Sequence, residues 1–287
     1  MFAFIKNILF NKNNLRKDIE FVHHKPKIYN IGDDFCSPKH YFKFENPINN
    51  LTIIGGGIYP LLAKKYIKKN NLRRNQIVLW GIGESNSKNS NIEKLFIDKN
   101  FIQIGVRDIS SVSKEYFLPC VSCLDKMLDL PILKNNTVVF LNRDIDVTNI
   151  IDDELKKVLL NKQWNLAFNN CNYDDFKDLL QNNNHIITNS YHGAYWGLLS
   201  GHYVTIIGYS TKFISLLKMF NFDETYLIKV KRGDNELILN ALCSIDNLEN
   251  AYKLDNSKLI LDSFRELNVR FANELINKSI VESYQLI

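Results

Sequence analysis

His192 has the setting in this chain that best suits chemistry. It lies in Thr188-Asn189-Ser190-Tyr191-His192-Gly193-Ala194, where the apolar pair Ile186-Ile187 runs into small polar residues and then an apolar helical run. That order predicts strand, tight turn and helix, with His192 at or near the helix N-terminus. Backbone N–H groups are unpaired there and the helix dipole is positive, so the spot suits an anion. A histidine among those donors can add a hydrogen bond or exchange a proton, and Ser190 and Tyr191 flank it as further contacts. The plain alternative is a histidine that caps its own helix.

Other polar residues follow strand-like runs in the same way. Arg107 and Asp108 come after Ile104-Gly105-Val106. The arginine can grip a carboxylate or phosphate in bidentate fashion, and the aspartate can orient it or act as acid or base. Arg143 and Asp144 repeat the theme after Thr137 to Leu141; a structural ion pair is the alternative for both. Lys212 follows a strand and turn at the start of a helix, where it can meet a phosphate as a point charge. Gly55-Gly56-Gly57 lets backbone approach a ligand closely, yet is neither a Walker loop nor a dinucleotide fingerprint. Asn30 and Asp33, in Asn30-Ile31-Gly32-Asp33, can bind sugar hydroxyls or simply form a turn.

The elements that must hold these residues alternate. Strand-like runs near residues 27–29, 51–54, 76–80 and 101–106 are separated by helical patterns. The pattern restarts at Thr137 to Leu141, Trp164 to Phe168, Ile186-Ile187 and Tyr203 to Ile207, with helices near Asp152 to Leu160, Asp174 to Leu180 and Phe213 to Phe220. Such alternation predicts an α/β fold with parallel sheets covered on both faces. The break near Pro131 to Asn136 divides it into two Rossmann-like domains, 1–133 and 134–287, facing a central cleft. Ligands bind such sheets beyond the carboxyl ends of the strands. A long helix is expected from Ser257 to about Gln285.

Composition sets bounds. The 287 residues carry 36 basic and 31 acidic side chains, a net charge of +5, and 45% are hydrophobic. That is ordinary globular material whose mild basic excess favours anionic substrates and is too dispersed for nucleic acid. Five cysteines with no visible secretory leader point to a reducing cytoplasm rather than a disulfide framework. Cys120 and Cys123 read as a structural thiol pair, and the spacing of histidines and carboxylates offers no metal ligand set, so no metal or cofactor is expected. No run approaches the ~20 apolar residues of a membrane span. The segment Met1 to Phe10, followed by Lys12, Arg16 and Lys17, either docks on its own domain or lies on the inner face of a membrane.

Taken in order, Asn30-Ile31-Gly32-Asp33, Gly55 to Gly57, Trp80-Gly81-Ile82-Gly83, Val106-Arg107-Asp108, Asn189 to Ala194 and Gly208 to Lys212 resemble the polysaccharide pyruvyl transferase family. The resemblance spans roughly residues 28 to 221. It implies a two-domain fold like that of GT-B glycosyltransferases, with the acceptor on the first domain and the anionic donor on the second. It also implies transfer of the enolpyruvyl part of phosphoenolpyruvate onto two hydroxyls of a glycan or lipid-linked sugar, as a cyclic ketal, in capsule, exopolysaccharide or lipopolysaccharide assembly. Phosphoenolpyruvate is a compact trianion that needs a cationic, donor-rich pocket, a general acid and a base. On that reading His192 meets the phosphate or moves a proton, Lys212 meets phosphate, and Arg107 meets carboxylate or phosphate. Asp33 and Asp108 then serve as acid, base or acceptor contacts. The family often has an arginine where this chain has Ser190, two residues before the histidine, which opens two alternatives. One is a GT-B-like glycosyltransferase with a nucleotide-sugar donor; the other is an inactive carbohydrate-binding relative.

Overall fold

The structure is a computed structural model that describes residues 18–57, 60–71, 73, 76–83, 101–108, 116–144, 146–148, 152–246 and 248–287. The apolar segment Met1 to Phe10 lies outside the described residues. In chain order the first half runs β1 (Ile19–Val22), α1 (Ile31–Phe35), β2 (Phe42–Glu45), β3 (Leu51–Gly55), α2 (Pro60–Lys69), β4 (Ile77–Ile82) and β5 (Gln103–Val106). The second half runs β6 (Thr137–Leu141), α3 (Asp152–Lys162), β7 (Asn165–Phe168), α4 (Tyr173–Asn182), β8 (His185–Thr188) and α5 (Tyr191–Leu199). It continues with β9 (Tyr203–Gly208), α6 (Thr211–Met219), β10 (Ile228–Lys229), α7 (Asn235–Ser244), α8 (Ser257–Asn277) and β11 (Ser283–Leu286).

The chain is α/β, with two parallel sheets. The first has the order β1-β3-β4-β5 and the second β7-β6-β8-β9-β10. Strands β3, β4 and β8 are buried along their whole length, as strands covered on both faces must be. The second sheet reverses its winding between β6 and β8, because β7 lies on one side of β6 and β8 to β10 follow on the other. A crevice opens at such a switch point, beyond the carboxyl ends of the two strands, and residues after β6 and β8 line it.

Helix α5 starts just beyond the carboxyl end of β8. All nine of its residues are buried, so it carries no polar face and is enclosed by protein on every side. Its aromatic residues join a core that also takes in Ile31, Cys36 and Cys120 from the first half. Helix α8 packs on both halves as well. Leu261 and Phe264 reach the core around α5, while Phe271, Ala272 and Leu275 pack with Trp80 and Leu51 of the first sheet. The buried Asn268 accepts the Trp80 indole N–H at 2.8 Å and donates to the Pro119 carbonyl at 3.3 Å. Arg265 donates to the carbonyls of Cys123 and Asp125 and forms a bidentate pair with Asp129. The segment 117–130 is thereby bound along one side of α8.

Two expectations need correction. Lys27 to Tyr29 is not a strand: Ile28 and Tyr29 are 39% and 45% exposed, and the edge strand is Ile19–Val22 instead. Pro26 and the capping demand of Asn30 leave the intervening residues irregular. Helix α8 ends at Asn277, not near Gln285, because Ser279 takes a left-handed φ of 53° and the Ile280 N–H turns back to the Leu275 carbonyl. The residues beyond it form β11, which pairs antiparallel with β2. Through this strand and helix α8, the last residues of the chain also pack on the first half.

His185, 3% exposed at the start of β8, shares its Nε2 with the Thr205 hydroxyl at 2.8 Å. Burial lowers its pKa from 6.5 to about 4. The folded chain thus keeps this imidazole neutral, while the unfolded chain takes up a proton as pH falls below 6.5. Its contribution is complete above 6.5 and is lost progressively toward pH 4. Urea unfolding is expected to show lower stability at pH 5 than at pH 7, with a shallower pH slope in His185→Gln.

Candidate active site at the helix α5 N-terminus

The turn between β8 and α5 is built by its own side chains. The Thr188 hydroxyl donates to the Phe140 carbonyl at 2.6 Å and accepts the Ser190 N–H at 2.9 Å. Ser190 is the N-cap of α5, its hydroxyl accepting the Gly193 N–H at 3.4 Å. Asn189 ties the strand ends together: its Oδ1 accepts the Asn142 N–H at 2.7 Å and its Nδ2 donates to Thr148 at 2.8 Å. Asn169 adds to this lattice by accepting the Arg143 N–H at 2.8 Å and donating to Asn142 Oδ1 at 3.1 Å. These asparagines carry no titratable group, and of them only Asn189 lies in a motif singled out in the sequence.

His192 sits in the first turn of α5, 6% exposed. Its imidazole fills the space that a side chain at Gly32 would occupy, since a Cβ there would come within 2.3 Å of Nδ1. Gly32 belongs to α1, whose N-cap Asn30 accepts the Gly32 N–H and donates to Asp33 Oδ2, both at 3.0 Å. Asp33 borders the glycine loop: Gly56 and Gly57 adopt left-handed φ values of 63° and 75°, and a Cβ on Gly57 would strike Asp33 Oδ1. Bulk is excluded at Gly55 too, where a Cβ would meet the Trp80 carbonyl at 2.6 Å. The Asn30, Asp33 and glycine-loop residues are thus drawn to one place, and α1 brings that place against His192.

Arg107 lies 8% exposed with its guanidinium carbon 4.3 Å from the Tyr191 ring centroid and against the space beside Gly83. Its Nε and Nη1 are buried without a hydrogen-bond partner. Burial opposes the charge, but the neighbouring Tyr191 and Asp108 more than offset it and the guanidinium stays protonated. A buried cation with unused donors is costly in a resting fold and suited to an anionic ligand. Asp108, the next residue, is 2% exposed. Lys212, in the first turn of α6, donates to the Tyr209 hydroxyl at 2.6 Å, and Asn142 Nδ2 reaches the same hydroxyl at 3.4 Å. Arg143 stands at the end of β6 with its guanidinium 4.5 Å from the Phe168 ring centroid.

Cys120 and Cys123 are both buried, and their sulfurs have different partners. Cys120 Sγ lies 3.7 Å from His192 Nε2, whereas Cys123 Sγ receives the Asn268 amide at 3.4 Å. The thiol beside Cys120 is Cys36, from the end of α1, a residue with no signal in the sequence. Against the opposing effect of burial, the Cys36 thiol, His192 and Arg107 hold the Cys120 thiol well below its ordinary pKa.

The His192–Gly32 contact gives a direct test of this geometry. Gly32→Ala is expected to cost about 1–3 kcal/mol, because the new methyl overlaps the imidazole ring. Combined with His192→Ala, the cost should fall below the sum of the two single changes. A urea-denaturation double-mutant cycle measures that coupling, and strict additivity would contradict the contact.

The family model for polysaccharide pyruvyl transferase matches residues 6–211, well over half of the 287 residues, and includes His192 and Arg107. No curated protein matches the chain. With its two parallel sheets and the Ser-Tyr-His-Gly turn at a sheet switch point, the chain belongs to the polysaccharide pyruvyl transferase family, a family of transferases in polysaccharide biosynthesis.

Proposed function

We propose that this chain transfers the enolpyruvyl group of phosphoenolpyruvate to two hydroxyls of a glycan or lipid-linked sugar, forming a cyclic ketal. The observation that carries this reading is Arg107: a buried guanidinium with two unpartnered nitrogens, on the Tyr191 ring beside His192. It supplies the bidentate cation that Ser190 does not, and Ser190 is instead spent on capping α5. The α5 N-terminus, His192 and Arg107 form a cradle for the trianion, and Lys212 adds a cation on the side of α6.

In this scheme C3 of the enol takes a proton and C2 becomes oxocarbenium-like. One sugar hydroxyl adds to C2, and the second displaces inorganic phosphate. Of the two hydroxyl protons, the balance places one in the new methyl group and one on phosphate. Asp33, beside the glycine loop, is suited to hydroxyl activation, and Asp108 to orienting Arg107. A cleft of about 440 Å³ adjoins that loop; its lining includes His23, His24, Lys25, Lys65 and Lys69 against one carboxylate, Glu20, a basic excess that suits an acceptor bearing negative charge. We take the two sheets as two Rossmann-like domains in a GT-B-like arrangement, acceptor on the first and donor on the second. The enzyme is then expected to work in the cytoplasm at the inner face of the membrane. No helix of the described residues is long and apolar enough to cross a membrane.

A thermal-shift comparison discriminates the donors. Phosphoenolpyruvate is expected to raise the melting temperature, and nucleotide sugars and nucleoside diphosphates are not. Stabilisation by the nucleotides alone would replace this reading with glycosyl transfer. Binding of glycans with no response to either donor would indicate an inactive relative. His192→Ala and Arg107→Lys are each expected to lower kcat/KM by about 100-fold or more while retaining the fold, since each removes a donor to developing charge. Normal turnover in both would remove this site from the chemistry.

A further inference from the structure

Cys36, Cys120 and His192 come from three separate elements: the end of α1, the segment after β5 and the first turn of α5. All three are buried, and their Sγ, Sγ and Nε2 or Nδ1 atoms lie within 4.8 Å of one another. The 3.7 Å between Cys120 Sγ and His192 Nε2 is close to the roughly 3.5 Å separation that ligands at ~2.3 and ~2.0 Å make around a tetrahedral ion. We infer that Cys36, Cys120 and His192 form a binding site for one zinc ion.

The donor set is what a borderline-soft divalent cation selects: two sulfurs and one imidazole, with no carboxylate among them. The surroundings of Cys120 fit a ligating sulfur. Ser122 Oγ lies 3.2 Å from Cys120 Sγ and accepts the Trp196 indole N–H at 2.9 Å. With the indole proton directed at its oxygen, the serine hydroxyl can turn its own proton toward the sulfur, as an outer-shell donor to a thiolate would. The Tyr195 hydroxyl fixes the Cys120 carbonyl at 3.0 Å, and Gly32 leaves room for the His192 ring. Cys36 is a free thiol that donates to the Asp33 carbonyl at 3.4 Å. Metal binding replaces that contact: two thiols lose two protons to solvent, and two zinc–sulfur bonds form with no change of oxidation state.

Three protein ligands leave the fourth tetrahedral position open, the pattern of zinc sites that bind a substrate oxygen or water rather than purely structural ones. The linear spacing hides the set, because residues 36, 120 and 192 are brought together only by the meeting of α1, the 117–130 segment and α5. This inference deepens the donor reading: His192 would then act on an anionic oxygen through the ion. Its test does not use the donor, so either reading can fail without the other.

The test is the metal content of the full chain purified without chelator. About one zinc per chain is expected in the wild type, at least ten-fold less in Cys36→Ser/Cys120→Ser, and an unchanged amount in Cys123→Ser. Wild-type protein stripped of metal and loaded with Co²⁺ alone should show thiolate-to-cobalt absorption in the near ultraviolet and intense tetrahedral bands in the visible. That measurement needs no variant and stands if the double variant fails to fold. A wild-type chain that neither carries zinc nor develops cobalt–thiolate absorption would overturn the inference. So would zinc retained in a folded double variant, or a Cys36–Cys120 disulfide in the purified protein.

Discussion

The imidazole of His192 rests where Gly32 has no side chain, and the relation between the two halves of the site depends on that contact. His192 is set by the Ser190 cap and by a fully buried helix, so it has little freedom to retreat. Gly32 is set by the Asn30 cap of α1. Two rigid helix starts, one from each half, therefore meet through a ring and a missing methyl group. Any chemistry at His192 belongs jointly to both halves, since neither alone brings Asp33, Cys36 and the helix α5 N-terminus together.

Helix α8 supports this junction from behind. Asn268 and Arg265 donate to carbonyls of Pro119, Cys123 and Asp125 in the 117–130 segment. A buried backbone segment without such partners would pay for each orphaned carbonyl. The Asn268 amide also holds the Trp80 indole, linking the first sheet to the same helix. The packing that stabilises the chain is thus the packing that fixes Cys120 beside His192.

Arg107 shows why site and stability are distinct. Its burial on the Tyr191 ring, with two nitrogens unpartnered, is a poor way to hold a fold together. It is a good way to hold an anion, because a ligand that completes its hydrogen bonds recovers what burial withheld. The net charge of +5 says little about this, since the effect comes from one guanidinium in a dry setting. Lys212, held by the Tyr209 hydroxyl, and Arg143, against Phe168, are placed by aromatic neighbours in a comparable manner.

The alternation of apolar strands with helices, and the polar residues that end those strands, were legible in the sequence because period and punctuation are local properties. So were the helix α5 start and the family itself, which rest on short ordered motifs. Edge features were not: β1 is displaced from the apolar stretch at residues 27–29, and β2 pairs with β11, the last strand of the chain. Such pairings depend on partners that local pattern does not reveal. The Cys36–Cys120–His192 cluster and the joining of the asparagine lattice were hidden for the same reason. By itself the sequence determined which residues stand at strand ends, since hydrophobic periodicity encodes burial along each element. Only the tertiary structure decided which of those ends meet, because that depends on where a glycine leaves room for another element's side chain.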